Sequence, residues 1–105
     1  DKVLSYRFDA DMGSLVANNP PSTSVAPGSG PRHFAFHPGA GYAYVINEMT
    51  LTVTAFKYAP QTGVLYGIQT ISTVPEDVDR KGLSTAEVQV HPSGKFVYGS
   101  NRGHN

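Results

Sequence analysis

The chain has 105 residues, with Lys and Arg totalling 8 against 8 Asp and Glu, so its formal net charge is zero. Neutrality removes any bulk electrostatic case for nucleic acid or an anionic membrane, and no apolar run approaches the length of a bilayer span. The absence of cysteine excludes disulfide staples and thiolate metal sites and leaves the compartment open, the cytoplasm being slightly favoured.

With 39% hydrophobic residues, 11 Gly and 8 Pro, the composition suits short strands separated by turns. Val3 to Phe8 predicts a strand, Asp9 to Gly13 a turn, and Leu15 to Ala17 the start of a second strand. Asn18 to Gly30 is dense in Pro, Ser, Asn and Gly and predicts a loop, with at most a short strand near Ser24 and Val25. Pro31 to Glu48 predicts a hairpin: Phe34 and Phe36 alternate with Ala35 and His37, and Tyr42, Tyr44 and Ile46 alternate on the return. Between them Pro38-Gly39-Ala40-Gly41 has turn chemistry, with glycine available for positive φ. Thr52 to Tyr58 and Val64 to Ser72 are strands joined by a turn at Ala59 to Gly63. Val74 to Gly82 is a charged loop carrying Glu76, Asp77, Asp79, Arg80 and Lys81. A second hairpin follows, from Glu87 to Val90, through His91-Pro92-Ser93-Gly94, to Lys95 to Ser100.

The chain repeats itself. Val3-Leu4-Ser5-Tyr6-Arg7-Phe8, then Gly13-Ser14-Leu15, matches Val53-Thr54-Ala55-Phe56-Lys57-Tyr58, then Gly63-Val64-Leu65, at an offset of 50. His37-Pro38-Gly39 matches His91-Pro92-Ser93 at an offset of 54, the extra residues fitting inside the charged loop. A period of about 50 residues with four strands per unit predicts an all-β fold, a β-propeller. Residues 1–17 would end one blade, 31–72 form a full blade, and 85–105 begin the next. Because propellers close with about four to eight blades, the expectation is a partial propeller whose remaining blades are partners of this chain. The register of the repeat disfavours the competing architecture, a small sandwich.

Three stretches carry a family resemblance. They are Gly30-Pro31-Arg32-His33-Phe34-Ala35-Phe36-His37-Pro38, Tyr42 to Glu48, and Ser84 to His104 with its Ala86-Glu87 and Asn101-Arg102-Gly103-His104. Together they resemble the seven-bladed propeller lactonase family, which includes 6-phosphogluconolactonases and the fungal 3-carboxy-cis,cis-muconate lactonizing enzymes. The resemblance implies that Arg32, Glu48 and Arg102 occupy family cleft positions, with His33, Glu87 and His104 beside them. It also implies that the cleft draws on further blades, one bearing a histidine. The expected substrate is a small anionic lactone, first of all 6-phosphogluconolactone. The alternatives are lactone formation from a carboxylated diene and a propeller that binds a ligand or protein without turnover.

The residues suit that chemistry. Strand pairing places Arg32 and His33 at the same hairpin end as Glu48, and the repeat sets His33 against Glu87 and Glu48 against Arg102. Glu48 or Glu87 can take a proton from water, with His33 or His104 as the alternative base. Arg32 and Arg102 can fork onto a phosphate or carboxylate, or stabilise an oxyanion. The plainer expectation is that Arg32–Glu48 and Glu87–Arg102 are salt bridges holding blade ends together. No covalent nucleophile is expected, since cysteine is absent and no serine lies in a Gly-X-Ser-X-Gly elbow. Neither the Asp9 and Asp11 pair nor the Glu76, Asp77 and Asp79 group has calcium-loop spacing, so no metal or cofactor is expected. His37 and His91 sit in turns at the far end and are expected to be structural.

Overall fold

A computed structural model describes residues 1–104, and these form strands without a helix. In order they are β1 (Lys2–Asp9), β2 (Ser14–Ser24), β3 (Pro31–Phe36), β4 (Tyr42–Asn47), β5 (Thr52–Ala59), β6 (Val64–Ser72), β7 (Ser84–Val90) and β8 (Val97–Arg102). They make three antiparallel sheets: β1-β2, the four-stranded β3-β4-β5-β6, and β7-β8. Every neighbour in a sheet is also a neighbour in sequence, so each connection is a tight turn or a short loop.

The central sheet is covered on both faces, which explains why β4 is apolar along nearly its whole length. Ala43 and Val45 join Phe56 and Leu65 in a buried cluster, against which Val3 and Val25 of the first sheet pack. On the opposite face Ile46 is fully buried, and Gly99 of β8 lies so close that an added methyl would meet the Ile46 side chain at 3.2 Å. Each such fully buried apolar side chain contributes roughly 1.5–3 kcal/mol. Of the strand aromatics, Phe56 is fully buried and Tyr58 stacks at a tilt on Phe36, ring centroids 4.9 Å apart. Tyr6, Phe8 and Tyr98 on the flanking sheets, and Phe96 just before β8, stay more than half exposed.

β2 departs from expectation. The sequence predicts a loop from Asn18, yet the strand continues to Ser24. Leu4 pairs with Ser22 while Tyr6 pairs with Ala17, so residues 18–21 bulge out of the ladder before pairing resumes. The proline and asparagine content therefore marks a bulge inside a strand, where a missing N–H costs little. Asn18 uses the bulge to reach the central sheet, donating from Nδ2 to the Thr62 carbonyl at 2.8 Å.

The hairpin turns also differ from the simple reading. In the β3–β4 turn the left-handed residue is Ala40 (φ 56), not either flanking glycine. Its counterpart in the β7–β8 turn is Gly94 (φ 72). His37 links the two turns: its Nδ1 accepts from the Gly39 N–H at 2.9 Å, and its Nε2 donates to the Gly94 carbonyl at 3.0 Å. The expected structural role of His37 is thus a contact between sheets.

Candidate active site

The charged residues gather at the other end of the hairpins. Pro31 pairs with Asn47, and the ladder extends through the Glu48 N–H, which donates to the Gly30 carbonyl at 2.8 Å. Between Pro31 and His33 the register slips, leaving Arg32 as an extra residue on β3. The same slip occurs on β7 between Thr85 and Val88, spanning Ala86 and Glu87. These are equivalent positions in the repeat, so both strands carry a bulge at the same height. A bulge breaks the alternation of side chains and re-aims them, which lets consecutive residues such as Arg32 and His33 both serve the rim.

Glu48 is the centre of this rim. Arg32 Nη1 donates to its Oε2 at 3.1 Å, and Arg102 Nη2 donates to its Oε1 from the neighbouring sheet. Arg102 also donates to the Thr85 carbonyl at 3.1 Å, fixing the guanidinium against β7. Partial desolvation alone would raise the Glu48 pKa; the hydrogen bonds and charges of Arg32 and Arg102 outweigh it and hold the carboxyl below its ordinary value. Two cations thus share one carboxylate, and the trio retains a positive charge. The side chains of Arg32 and Arg102 remain partly exposed, at 39% and 51%, and each guanidinium carries further N–H donors beyond those used on Glu48.

His33 and Glu87 form a second pair across the same seam. His33 Nδ1 lies 3.0 Å from Glu87 Oε2. Glu87 Oε1 accepts from the Val88 N–H at 2.8 Å, and the Glu87 N–H donates to Ser100 Oγ at 2.9 Å. The Val88 N–H, then His33, hold the Glu87 carboxyl below its ordinary value.

The six candidate residues therefore divide. Arg32, Glu48, Arg102, His33 and Glu87 come together. The expected Glu87–Arg102 bridge does not form among the described residues: Arg102 extends to Glu48 instead, while Glu87 turns to His33. His104 is half-buried beyond Gly103 and makes no ion pair with the cluster among the described residues.

Residues without charge escape the sequence reading yet secure the seam. Thr85 is fully buried; its Oγ1 donates to the Asn47 carbonyl at 3.0 Å and its N–H to the Glu48 carbonyl at 3.3 Å. Asn101 grips Thr73, donating from Nδ2 to its carbonyl at 2.9 Å and accepting its hydroxyl at 2.8 Å. The one available signal was the repeat, which sets Thr85 level with Pro31. Two apolar clefts lie along the sides of the central sheet, one edged by Tyr44, Val53 and Val97 and the other by Leu4, Phe34 and Leu65. Neither includes a residue of the charged rim, and both are packing seams. Among the described residues no group of three or more His, Asp or Glu side chains is placed to hold a metal ion.

A family model described as Lactonase, 7-bladed beta-propeller matches residues 1–105. The chain is 41% identical over 104 residues to a 6-phosphogluconolactonase of Bacillus subtilis (strain 168), covering 99% of this chain and 28% of that protein. A crystal structure of a protein from Lactobacillus plantarum superposes with a TM-score of 0.90 at 32% identity, covering 100% of this chain and 30% of that one. The periplasmic gluconolactonase of Pseudomonas aeruginosa superposes with a TM-score of 0.88 at 29% identity, over 97% of this chain and 28% of that one. This chain thus spans less than a third of the length of these relatives.

Proposed function

Since the chain belongs to the seven-bladed lactonase propeller family, we propose that it supplies one side of an active site that hydrolyses a sugar-acid lactone, with 6-phosphogluconolactone as the substrate. The observation that carries this reading is the Arg32–Glu48–Arg102 trio, assembled from two sheets at one rim. Glu48 spends both oxygens on the guanidiniums, so its part is to hold the two in place side by side. Their free N–H donors then suit the phosphate of the substrate or the oxyanion that grows on the lactone carbonyl. The names of the Bacillus subtilis and Pseudomonas aeruginosa relatives support the same class of substrate. The remaining wall of the site would come from the other blades.

The test is hydrolysis of 6-phosphogluconolactone by the whole seven-bladed protein and by its Arg32→Ala and Glu48→Ala variants. Loss of one such donor is worth about 100- to 1000-fold in kcat; Arg32→Ala should fall by that order, and Glu48→Ala should fall as well because both guanidiniums lose the group that positions them. Full activity in both variants would refute the assignment. A wild-type protein that leaves the lactone intact but cyclises a carboxylated diene would instead place the arginines on substrate carboxylates. Binding of a ligand without turnover of either substrate would leave a non-catalytic propeller.

A further inference from the structure

We propose that His33 is the general base that activates water for lactone opening, and that Glu87, reaching over from the adjacent sheet, is the positioning residue that holds its ring. The inference rests on the lactonase reading and adds to it the group that moves the proton. Three carboxylate or imidazole groups at the rim are candidates. Glu48 is poorly suited, because Arg32 and Arg102 occupy both of its oxygens. Glu87 is likewise engaged at both, by the Val88 N–H and by His33. A carboxylate only accepts, so the proton between Glu87 and His33 resides on Nδ1. In the neutral ring Nε2 is then the lone pair, and it has no hydrogen bond among the described residues. The His33 side chain is 44% exposed, so a water can reach it.

The charged groups around the ring support the assignment. Glu87 faces it from β7, while Arg32 on its own strand and Arg102 on β8 are both turned onto Glu48. The imidazole therefore has an anion against Nδ1, and the two cations nearby are already paired. This is the arrangement by which a carboxylate fixes a tautomer and stabilises the imidazolium that forms.

The step balances on this chain's own groups. Water oxygen bonds to the lactone carbonyl carbon as its proton passes to His33 Nε2. The tetrahedral oxyanion then collapses, breaking the bond from that carbon to the ring oxygen. The imidazolium returns its proton to the departing ring oxygen, so one water is consumed and the hydroxy acid is released. The bulge on each strand explains why this pair exists at all: without it His33 and Glu87 would follow the strict alternation of their strands.

The experiment uses the whole seven-bladed protein, 6-phosphogluconolactone, and the variants His33→Gln and Glu87→Gln. H33Q should lose about 100- to 10,000-fold in kcat with little change in KM. E87Q should lose about tenfold or more in kcat with little change in KM, because the ring is no longer held in register with the water. Nitrogen-15 NMR of the neutral wild-type imidazole should show the proton on Nδ1 rather than Nε2. A merely structural ion pair would lower the urea midpoint in both variants and leave kcat of the folded protein in place. A wild-type protein without lactone hydrolysis overturns the lactonase reading itself. An active wild type with H33Q retaining its kcat, or with the opposite tautomer, overturns the dyad alone. Should H33Q fail to fold, the E87Q turnover decides, and an unchanged kcat overturns the proposal.

Discussion

Replacing Thr85 by valine tests whether the seam between the central sheet and β7-β8 is secured by a single buried hydroxyl. Thr85 is completely shielded from solvent, and its Oγ1 donates to the Asn47 carbonyl at 3.0 Å. Valine fills nearly the same volume, so no cavity opens, and the Thr85 main-chain contacts to Glu48 and Arg102 are retained. What is lost is one buried donor, and a buried carbonyl deprived of its partner costs about 1–3 kcal/mol. At 1.4 kcal/mol per decade this is roughly a 5- to 150-fold fall in the ratio of folded to unfolded protein. Urea denaturation of the whole propeller reads it as a lower midpoint with an unchanged m-value, since the area exposed on unfolding is unaltered. Lactone turnover should fall less than in R32A, because the guanidiniums keep their partners. A midpoint equal to the wild type at equal m would refute the reasoning, and the seam would then be held by its other hydrogen bonds and by packing.

Two further predictions follow from the same contacts. Glu48 and Glu87 both titrate below the ordinary carboxylate range when folded. Their stabilisation is therefore fully present above the unfolded value near pH 4.3 and is lost as pH falls through the lowered folded values. The urea midpoint should drop on acidification through that window and drop less steeply in E48Q; an identical slope in E48Q would contradict this. In the turns, Ala40→Gly removes a left-handed strain of about 1–2 kcal/mol, less about 0.5–1 kcal/mol of glycine's extra entropy, and should stabilise by up to about 1 kcal/mol. Gly94→Ala should destabilise by more than that, since φ is 72° and the new methyl would meet His37 Nε2 at 2.5 Å. Thermal melts of both, with Gly41→Ala in open space as the control, check the signs.

Much of the fold was legible because its signals are periodic. Alternating Phe34 and Phe36, the paired His-Pro turns and the offset of about 50 residues all follow from strand geometry and blade repetition. The pair Arg32–Glu48 was legible because hairpin pairing dictates which chain ends meet, and the repeat set His33 against Glu87 and Glu48 against Arg102, while the alternative Glu87–Arg102 bridge did not form among the described residues. Three features were not. β2 runs on past Ala17 because residues 18–21 bulge, and proline-rich composition looks alike in a bulge and a loop. The bulges at Arg32 and at Ala86 and Glu87, which break the alternation at the rim, have no signature in hydrophobic pattern. Ala40 takes the left-handed position between two glycines that could each have taken it, and local steric permission alone does not rank them.

Glu48, just past the end of β4, and Arg102 on β8 belong to sheets that share no ladder, and so do His33 and Glu87. The proposed chemistry is thus wired to the angle between neighbouring sheets, and a slight breathing of that joint would pull the groups out of reach while each sheet stayed intact. Dilute denaturant should therefore silence turnover before any spectroscopic sign of melting, making activity a gauge of how tightly the ring is drawn shut.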